Sequence, residues 1–298
     1  MTISAPRIAR PRTVLVGLIG EGVAPSLTPP MHELEGARHG IHYVYRTIDL
    51  AAGEGTAPTM ERLLESARRL GFDGLNITHP VKQTVIPFLQ GLARSAAAVG
   101  AVNTVVFEPD GAVGHNTDVT GFGAAYDEAL SGAQRGRVVL LGAGGAGSAV
   151  ASSLAARGVD DLVIVDVDVD RAGQLAAHHR ARCVAPTELG VILAEADGLV
   201  NATPSGMIAH PGIPVDLGQL APSAWVADIV YRPAETELLA AARAQGRLVM
   251  TGLGMAMHQA ADAFEIFTGE TADRRSMLDD LTRLVANEAG ADSPPTHH

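Results

Sequence analysis

"RVVLLGAGGAGSAVASSLAARG", Arg137 to Gly158, is the stretch whose reading decides the fold of this chain. An apolar run, Val138–Leu141, passes straight into GAGGAG, Gly142 to Gly147, and that turn opens a run of helix-forming residues ending on Gly158. A glycine-rich turn alone says little, but G-x-G-x-x-G between a strand and a helix has a physical purpose. Gly142 permits a tight turn, Gly144 lets the backbone approach a pyrophosphate, and Gly147 lets the helix pack close to the strand. Ala143, Gly145 and Ala146 keep the intervening positions small. Unpaired amides and the positive dipole end of the helix then face the phosphates. These six residues are the first expected cofactor site.

About 20 residues after the glycines comes LVIVDVDVDRAG, Leu162 to Gly173, with aspartates at every second position. A calcium loop of D-x-D-x-D type needs glycine at its sixth position and a bidentate glutamate at its twelfth. Counted from Asp166, those places hold Arg171 and Ala177, so the loop reading fails. A carboxylate at the end of the second strand instead suits an adenosine ribose, accepting from its hydroxyls and repelling a 2′-phosphate. Asp166 occupies that place, which predicts NAD rather than NADP. Arg171 pulls the other way, because a nearby arginine can accommodate a 2′-phosphate. Asp168 and Asp170 read as turn residues or as a cap for the helix that follows.

Working outward, strand-like and helix-like stretches alternate along nearly all of the 298 residues, the α/β pattern of a mainly parallel sheet. Strands are expected at Val14–Gly20, His42–Leu50 and Gly74–Thr78, and in the second half around the glycine turn, at Gly198–Thr203 and at Ala224–Tyr231. The reading is an N-terminal α/β substrate domain over 1–118 and a Rossmann dinucleotide-binding domain over 119–253. Amphipathic helices over 254–288 are expected to return to the first domain. The basic start, MTISAPRIARPRTV, and the end, GADSPPTHH, read as unstructured.

A composition of 47% hydrophobic and 18% charged residues is that of an ordinary soluble protein. The net charge of −11 argues against nucleic-acid or anionic-membrane partners. With Cys183 as the only cysteine, there is no internal disulfide and no cysteine metal site. The histidines show no metal-ligand spacing, so no metal is expected. With no signal core or membrane-length apolar run, the expected location is the cytoplasm.

Polar clusters punctuate the first third: PSLTPPMH with Ser26 and Thr28, NITHPVKQ with Asn76, Thr78 and Lys82, AVNTVV with Asn103, and GHNTDVTGF with Asn116 and Asp118. Each has a structural reading of its own: Ser26 and Thr28 can cap a helix, and Asn116 and Asp118 can form a turn. Together, beside a dinucleotide site, they suggest loops converging at strand C-termini.

With SLTPPMH, GLNITHPVKQ, GAVNTVV, HNTDVTGF, GAGGAG, NATPSGM and GLGMAMHQAADAF in this order, the chain resembles the shikimate dehydrogenase family over roughly residues 14 to 285. The resemblance implies reversible oxidation of a ring hydroxyl on a small hydroxylated cyclohexane or cyclohexene carboxylate. It implies Lys82 and Asp118 as the catalytic pair, and Ser26, Thr28, Thr78, Lys82, Asn103, Asp118, Tyr231 and Gln259 around the substrate. Thr203, Pro204, Ile229 and Gly252 would line the cofactor. Two departures mark a branch. The family's S-x-S loop carries Thr28 here, and Asp166-Val167-Asp168 replaces an Asn-Arg-Thr-like stretch suited to a 2′-phosphate. Both resemble the NAD-dependent quinate/shikimate dehydrogenases of catabolic type. An NADP-dependent biosynthetic enzyme, a dehydrogenase of aminated analogues and a silent binding protein stay open as alternatives, as does the choice between monomer and homodimer.

Overall fold

The computed structural model describes residues 12–291. The expected unstructured ends fall largely on 1–11 and 292–298, outside the described residues. Thr13 and Val14 already belong to the first strand, and positions 290 and 291 still belong to the last helix.

The first sheet is built from β1 (Thr13–Glu21), β2 (His42–Leu50), β3 (Gly74–Ile77), β4 (Gly91–Leu92), β5 (Thr104–Glu108) and β6 (Gly111–His115), in the order β2-β1-β3-β5-β6-β4. Three of its five pairings are parallel, and β5 runs antiparallel to both β3 and β6. This β5–β6 hairpin turns at Pro109-Asp110. It is absent from the sequence expectation, which saw only an apolar run there. Helices α1 (Thr28–Arg38), α2 (Ala57–Arg69) and α3 (Arg94–Val99) connect these strands.

Helix α4 (Thr117–Ala129) leads to a second sheet of β7 (Arg137–Leu141), β8 (Asp161–Val165), β9 (Arg182–Cys183), β10 (Gly198–Asn201), β11 (Trp225–Asp228) and β12 (Val249–Met250). Its order, β12-β11-β10-β7-β8-β9, is parallel throughout. The intervening helices are α5 (Gly145–Ala156), α6 (Val169–His179), α7 (Leu189–Leu193) and α8 (Glu237–Ala244). Because strand side chains alternate, this sheet feeds two cores. Val138, Leu140, Ile164 and Val200 pack on one face, while Val139, Leu141, Val163 and Leu199 pack on the other.

The chain closes with α9 (Gly252–Thr268) and α10 (Arg274–Ala291). Met257, Phe264, Phe267, Met277 and Leu281 of these helices share one core with Val16, Tyr43 and Tyr45 of the first sheet. Arg38 of α1 donates to Asp280 of α10 at 2.7 Å and to buried Glu35 at the same distance, clamping the two helices together. Helix α9 also packs along α4, so both passages of the chain between the two sheets run side by side.

Candidate active site

The parallel strands β1 and β3 end on one side of the first sheet. Since β5 is antiparallel to β3, its start lies beside the end of β3, and β6 finishes next to it. Four loops distant in sequence therefore meet. Asn103 stands at a strand start rather than a strand end, yet topology delivers it to the same place. The loop after β3 is anchored by Val102 N–H donating to the Lys82 carbonyl at 2.8 Å and by fully buried Val81 and Val85.

A cavity of about 420 Å³ opens where these loops face α9 and the end of β11. Ser26, Thr28, Thr78, Lys82, Asn103, Asp118, Tyr231 and Gln259, the eight residues expected around a substrate, all line it. Lys82 Nζ donates to Asp118 Oδ2 at 2.6 Å, and Asn103 Nδ2 donates to Asp118 Oδ1 at 3.0 Å. Both oxygens of Asp118 are thus held. Asn116 serves as the cap of α4, accepting from Val119 N–H. Among the described residues Ser26 Oγ accepts only from Thr28 N–H, at 3.3 Å, and no side chain caps α1, so the hydroxyls of Ser26 and Thr28 keep hydrogen-bonding capacity toward the cavity. Burial pushes the Tyr231 hydroxyl above its ordinary range, so it stays a neutral O–H donor.

A second cavity, about 620 Å³, adjoins the first along Thr78 and Lys82, which line both. Its floor is the glycine turn: Ala143, Gly144, Gly145 and Ala146. Gly142 adopts φ +98°, and a Cβ on Gly147 would stand 2.0 Å from the Gly142 carbonyl oxygen, so this turn closes only with glycine at both places. No side chain caps the first amides of α5, and a Cβ on Gly144 would meet nothing within 4 Å. Bare amides at a helix N-terminus under an open cradle fit a dinucleotide pyrophosphate.

Asp166, directly after β8, is buried and lines neither cavity, whereas Arg171 lines the second. Its Oδ2 accepts from Ala143 N–H at 2.6 Å, and its Oδ1 accepts from Asp168 N–H at 2.9 Å and from Arg171 Nη2 at 2.8 Å. Burial opposes its ionisation, but the two amides and the guanidinium together hold its carboxyl below the usual carboxylate range. Asp168 caps α6 by accepting from Arg171 N–H, the structural role expected of it.

The remaining expected cofactor residues divide. Ile229 lines the first cavity. Thr203 and Pro204 line neither: Thr203 is folded back on Asn201 Oδ1, donating to it through both N–H (3.1 Å) and O–H (2.6 Å). Gly252 packs against the Val230 carbonyl, 2.4 Å from where a Cβ would lie, and serves the α9 start rather than a cavity wall. Sequence reasoning missed Met207, Arg232 and Met255, which also line the first cavity. Arg232 brings a guanidinium there, donating to Glu288 at 2.9 Å and to the Pro25 carbonyl at 3.0 Å. It lies directly after Tyr231 in DIVYRP, but only the fold brings that segment beside Ser26. Among the described residues no group of three potential ligands is placed to hold a metal ion, and no helix is long and apolar enough to cross a membrane.

The family model for the shikimate dehydrogenase substrate binding domain matches residues 18–105, that for shikimate / quinate 5-dehydrogenase matches 126–210, and that for the shikimate 5'-dehydrogenase C-terminal domain matches 252–281. A shikimate dehydrogenase (NADP(+)) of Streptomyces avermitilis is 51% identical over 282 residues, covering 92% of this chain and 97% of its own. The chain belongs to the shikimate dehydrogenase family. Another family member, the quinate/shikimate dehydrogenase (NAD(+)) of Corynebacterium glutamicum (strain R), is 47% identical, covering 91% of this chain and 99% of its own. The solved quinate dehydrogenase from Corynebacterium glutamicum in complex with NAD superposes with a TM-score of 0.86 at 45% identity, over 91% of this chain and 99% of that one. This family member is accordingly an oxidoreductase of the shikimate/quinate dehydrogenase type that works with a pyridine nucleotide.

Proposed function

We propose that this enzyme oxidises a ring hydroxyl of quinate or shikimate to the ketone, reversibly, with NAD preferred over NADP. The observation that carries the chemistry is the Lys82–Asp118 pair, 2.6 Å apart on the wall where the two cavities meet. Oxidation takes a hydride from the ring carbon and a proton from its hydroxyl. The nicotinamide, when bound, supplies the hydride acceptor. Lys82 Nζ takes the hydroxyl proton in oxidation and returns it to the ketone oxygen in reduction. Asp118 fixes the Lys82 amine and accepts from a neighbouring ring hydroxyl. Ser26, Thr28 and Tyr231 present hydroxyl donors to the substrate carboxylate, with Arg232 as a nearby cation. Asn103, Thr78 and Gln259 bind ring hydroxyls.

The cofactor would lie on Gly142–Gly147, with its adenosine ribose at Asp166 and its nicotinamide toward Ile229 and the segments at Thr203-Pro204 and Gly252. NAD is favoured because an ionised carboxylate there repels a 2′-phosphate, and because the Arg171 guanidinium is already engaged by that carboxylate. Quinate is included with shikimate because Thr28 changes the carboxylate end of the cavity, and because the solved neighbour at TM-score 0.86 is a quinate dehydrogenase. We assign the substrate unit to 1–118, completed by 254–288, and the nucleotide unit to 119–253. Their support is the core that α9 and α10 share with the first sheet.

The test of the chemistry is Lys82→Ala. Its kcat should fall by roughly 10²–10⁴-fold with little change in KM, since proton transfer is made only in the transition state. An unaltered kcat would remove Lys82 from this role. A second reading, the biosynthetic NADP enzyme, has the 51% identical Streptomyces relative in its favour and shares every catalytic residue, differing in the weighting of Asp166 against Arg171 and in what is made of Thr28.

A further inference from the structure

Behind Asp118 a line of polar side chains runs through the core of the first unit to the far strand β2, which contributes nothing to either cavity. Tyr45 O–H reaches Asn76 Oδ1 at 2.6 Å, and Asn76 Nδ2 reaches Thr104 Oγ1 at 2.9 Å. Thr104 Oγ1 reaches Asn103 Oδ1 at 2.9 Å, and Asn103 Nδ2 reaches Asp118 Oδ1 at 3.0 Å. All five residues are buried.

The sense of every bond is dictated by two backbone groups. Thr117 N–H donates to one end of the Asn103 amide at 2.7 Å, so that end must be the oxygen, and the NH₂ faces Asp118. The Asn103 carbonyl oxygen accepts from one end of the Asn76 amide at 3.2 Å, so that end must be the NH₂. Thr104 then receives from Asn76 and can only donate onward to Asn103, and Tyr45 must donate to Asn76. Burial pushes the Tyr45 hydroxyl well above its ordinary range, so it stays a donor. Every proton in the chain therefore points toward the Asp118 carboxylate, and such aligned bonds strengthen one another in a low-dielectric interior.

We infer that Tyr45 and Thr104, which line neither cavity, are positioning residues that act through Asn76 and Asn103 to fix Asp118, and thereby Lys82, in the reactive geometry. The inference rests on the proposed role of Lys82 and Asp118.

The test uses Tyr45→Phe, Thr104→Val, Thr104→Ser and the Tyr45→Phe/Thr104→Val pair, with steady-state kinetics for the ring substrate. Tyr45→Phe and Thr104→Val should each lower kcat on the order of 3- to 10-fold while KM moves less than about 2-fold, because what is lost is alignment in the transition state. Thr104→Ser, which keeps the hydroxyl, should restore kcat. The double variant should lose less than the product of the two single losses, since with Thr104 gone only the Asn76–Asn103 carbonyl contact still links Tyr45 to Asn103. Unchanged kcat in both single variants, losses that multiply in the double, or failure of Thr104→Ser to rescue would each overturn the relay. Should Thr104→Val not fold, Tyr45→Phe and Thr104→Ser decide alone: reduced kcat in the first with retained kcat in the second supports the relay, and any other combination overturns it. If Lys82→Ala keeps its kcat, the proposed chemistry fails. If Lys82→Ala is inactive while the Tyr45 and Thr104 variants are normal, only the relay fails.

Discussion

Asp166 has two oxygens and three protein donors, and that crowding gives its substitution two consequences at once. Asp166→Asn removes the charge that repels a 2′-phosphate, and it also releases Arg171 from its 2.8 Å ion pair. Both changes favour NADP. Its kcat/KM for NADP should rise by about 10-fold relative to that for NAD, equivalent to roughly 1.4 kcal/mol of discrimination. Initial rates with each nucleotide at saturating quinate would measure it, and an unchanged ratio would detach Asp166 from cofactor choice. Asp168, two residues on, has its carboxylate committed to capping α6, so two neighbours in the evenly spaced run do different things.

The strand–turn–helix of β7 and α5 was legible in the sequence because its constraint is local. Gly142 needs a positive φ and Gly147 has no room for a Cβ, and both demands fall on glycine alone. Gly147→Ala places a methyl against a backbone oxygen that cannot move without opening the turn. Overpacking of this kind costs roughly 1–3 kcal/mol, and here it should appear as nucleotide affinity weakened by about 10- to 100-fold. Titration of NADH fluorescence would show it, and wild-type affinity would mean that the turn adapts. The β5–β6 hairpin was less legible. Asn103 interrupts its apolar pattern for the sake of Asp118, and the antiparallel crossing that brings it there is set by pairing partners far away in sequence. Arg232, Met207 and Met255 were missed for the same reason. Met207 and Met255 sit inside quoted motifs and Arg232 follows Tyr231, but no pattern singles out these side chains, and they reach the cavity only because the second unit and α9 fold against the first.

At the scale of the whole molecule, the C-terminal helices are cemented to the first sheet around His32, which lies buried among Tyr43, Tyr45, Phe264 and Phe267. Burial lowers its pKa from 6.5 to about 3. Between those values the unfolded chain binds a proton that the folded chain refuses, so stability falls as pH drops through this window. The slope from His32 is roughly 1.4 kcal/mol per pH unit. His115 and His179, lowered by partial burial, act in the same sense, while Asp228, raised by burial, acts in the opposite one. Denaturant unfolding from pH 7 to 4.5 should show this loss, and His32→Gln, which cannot titrate, should flatten it. Equal slopes in both proteins would exclude His32 as the cause. The two cavities meet only in the assembled molecule, so substrate and cofactor choice are properties of that assembly. They are read most directly from one set of kinetics: quinate and shikimate, each with NAD and with NADP. The proposed function predicts turnover of both acids, with NAD giving the higher kcat/KM for each. Turnover of shikimate alone, with NADP preferred, would contradict it.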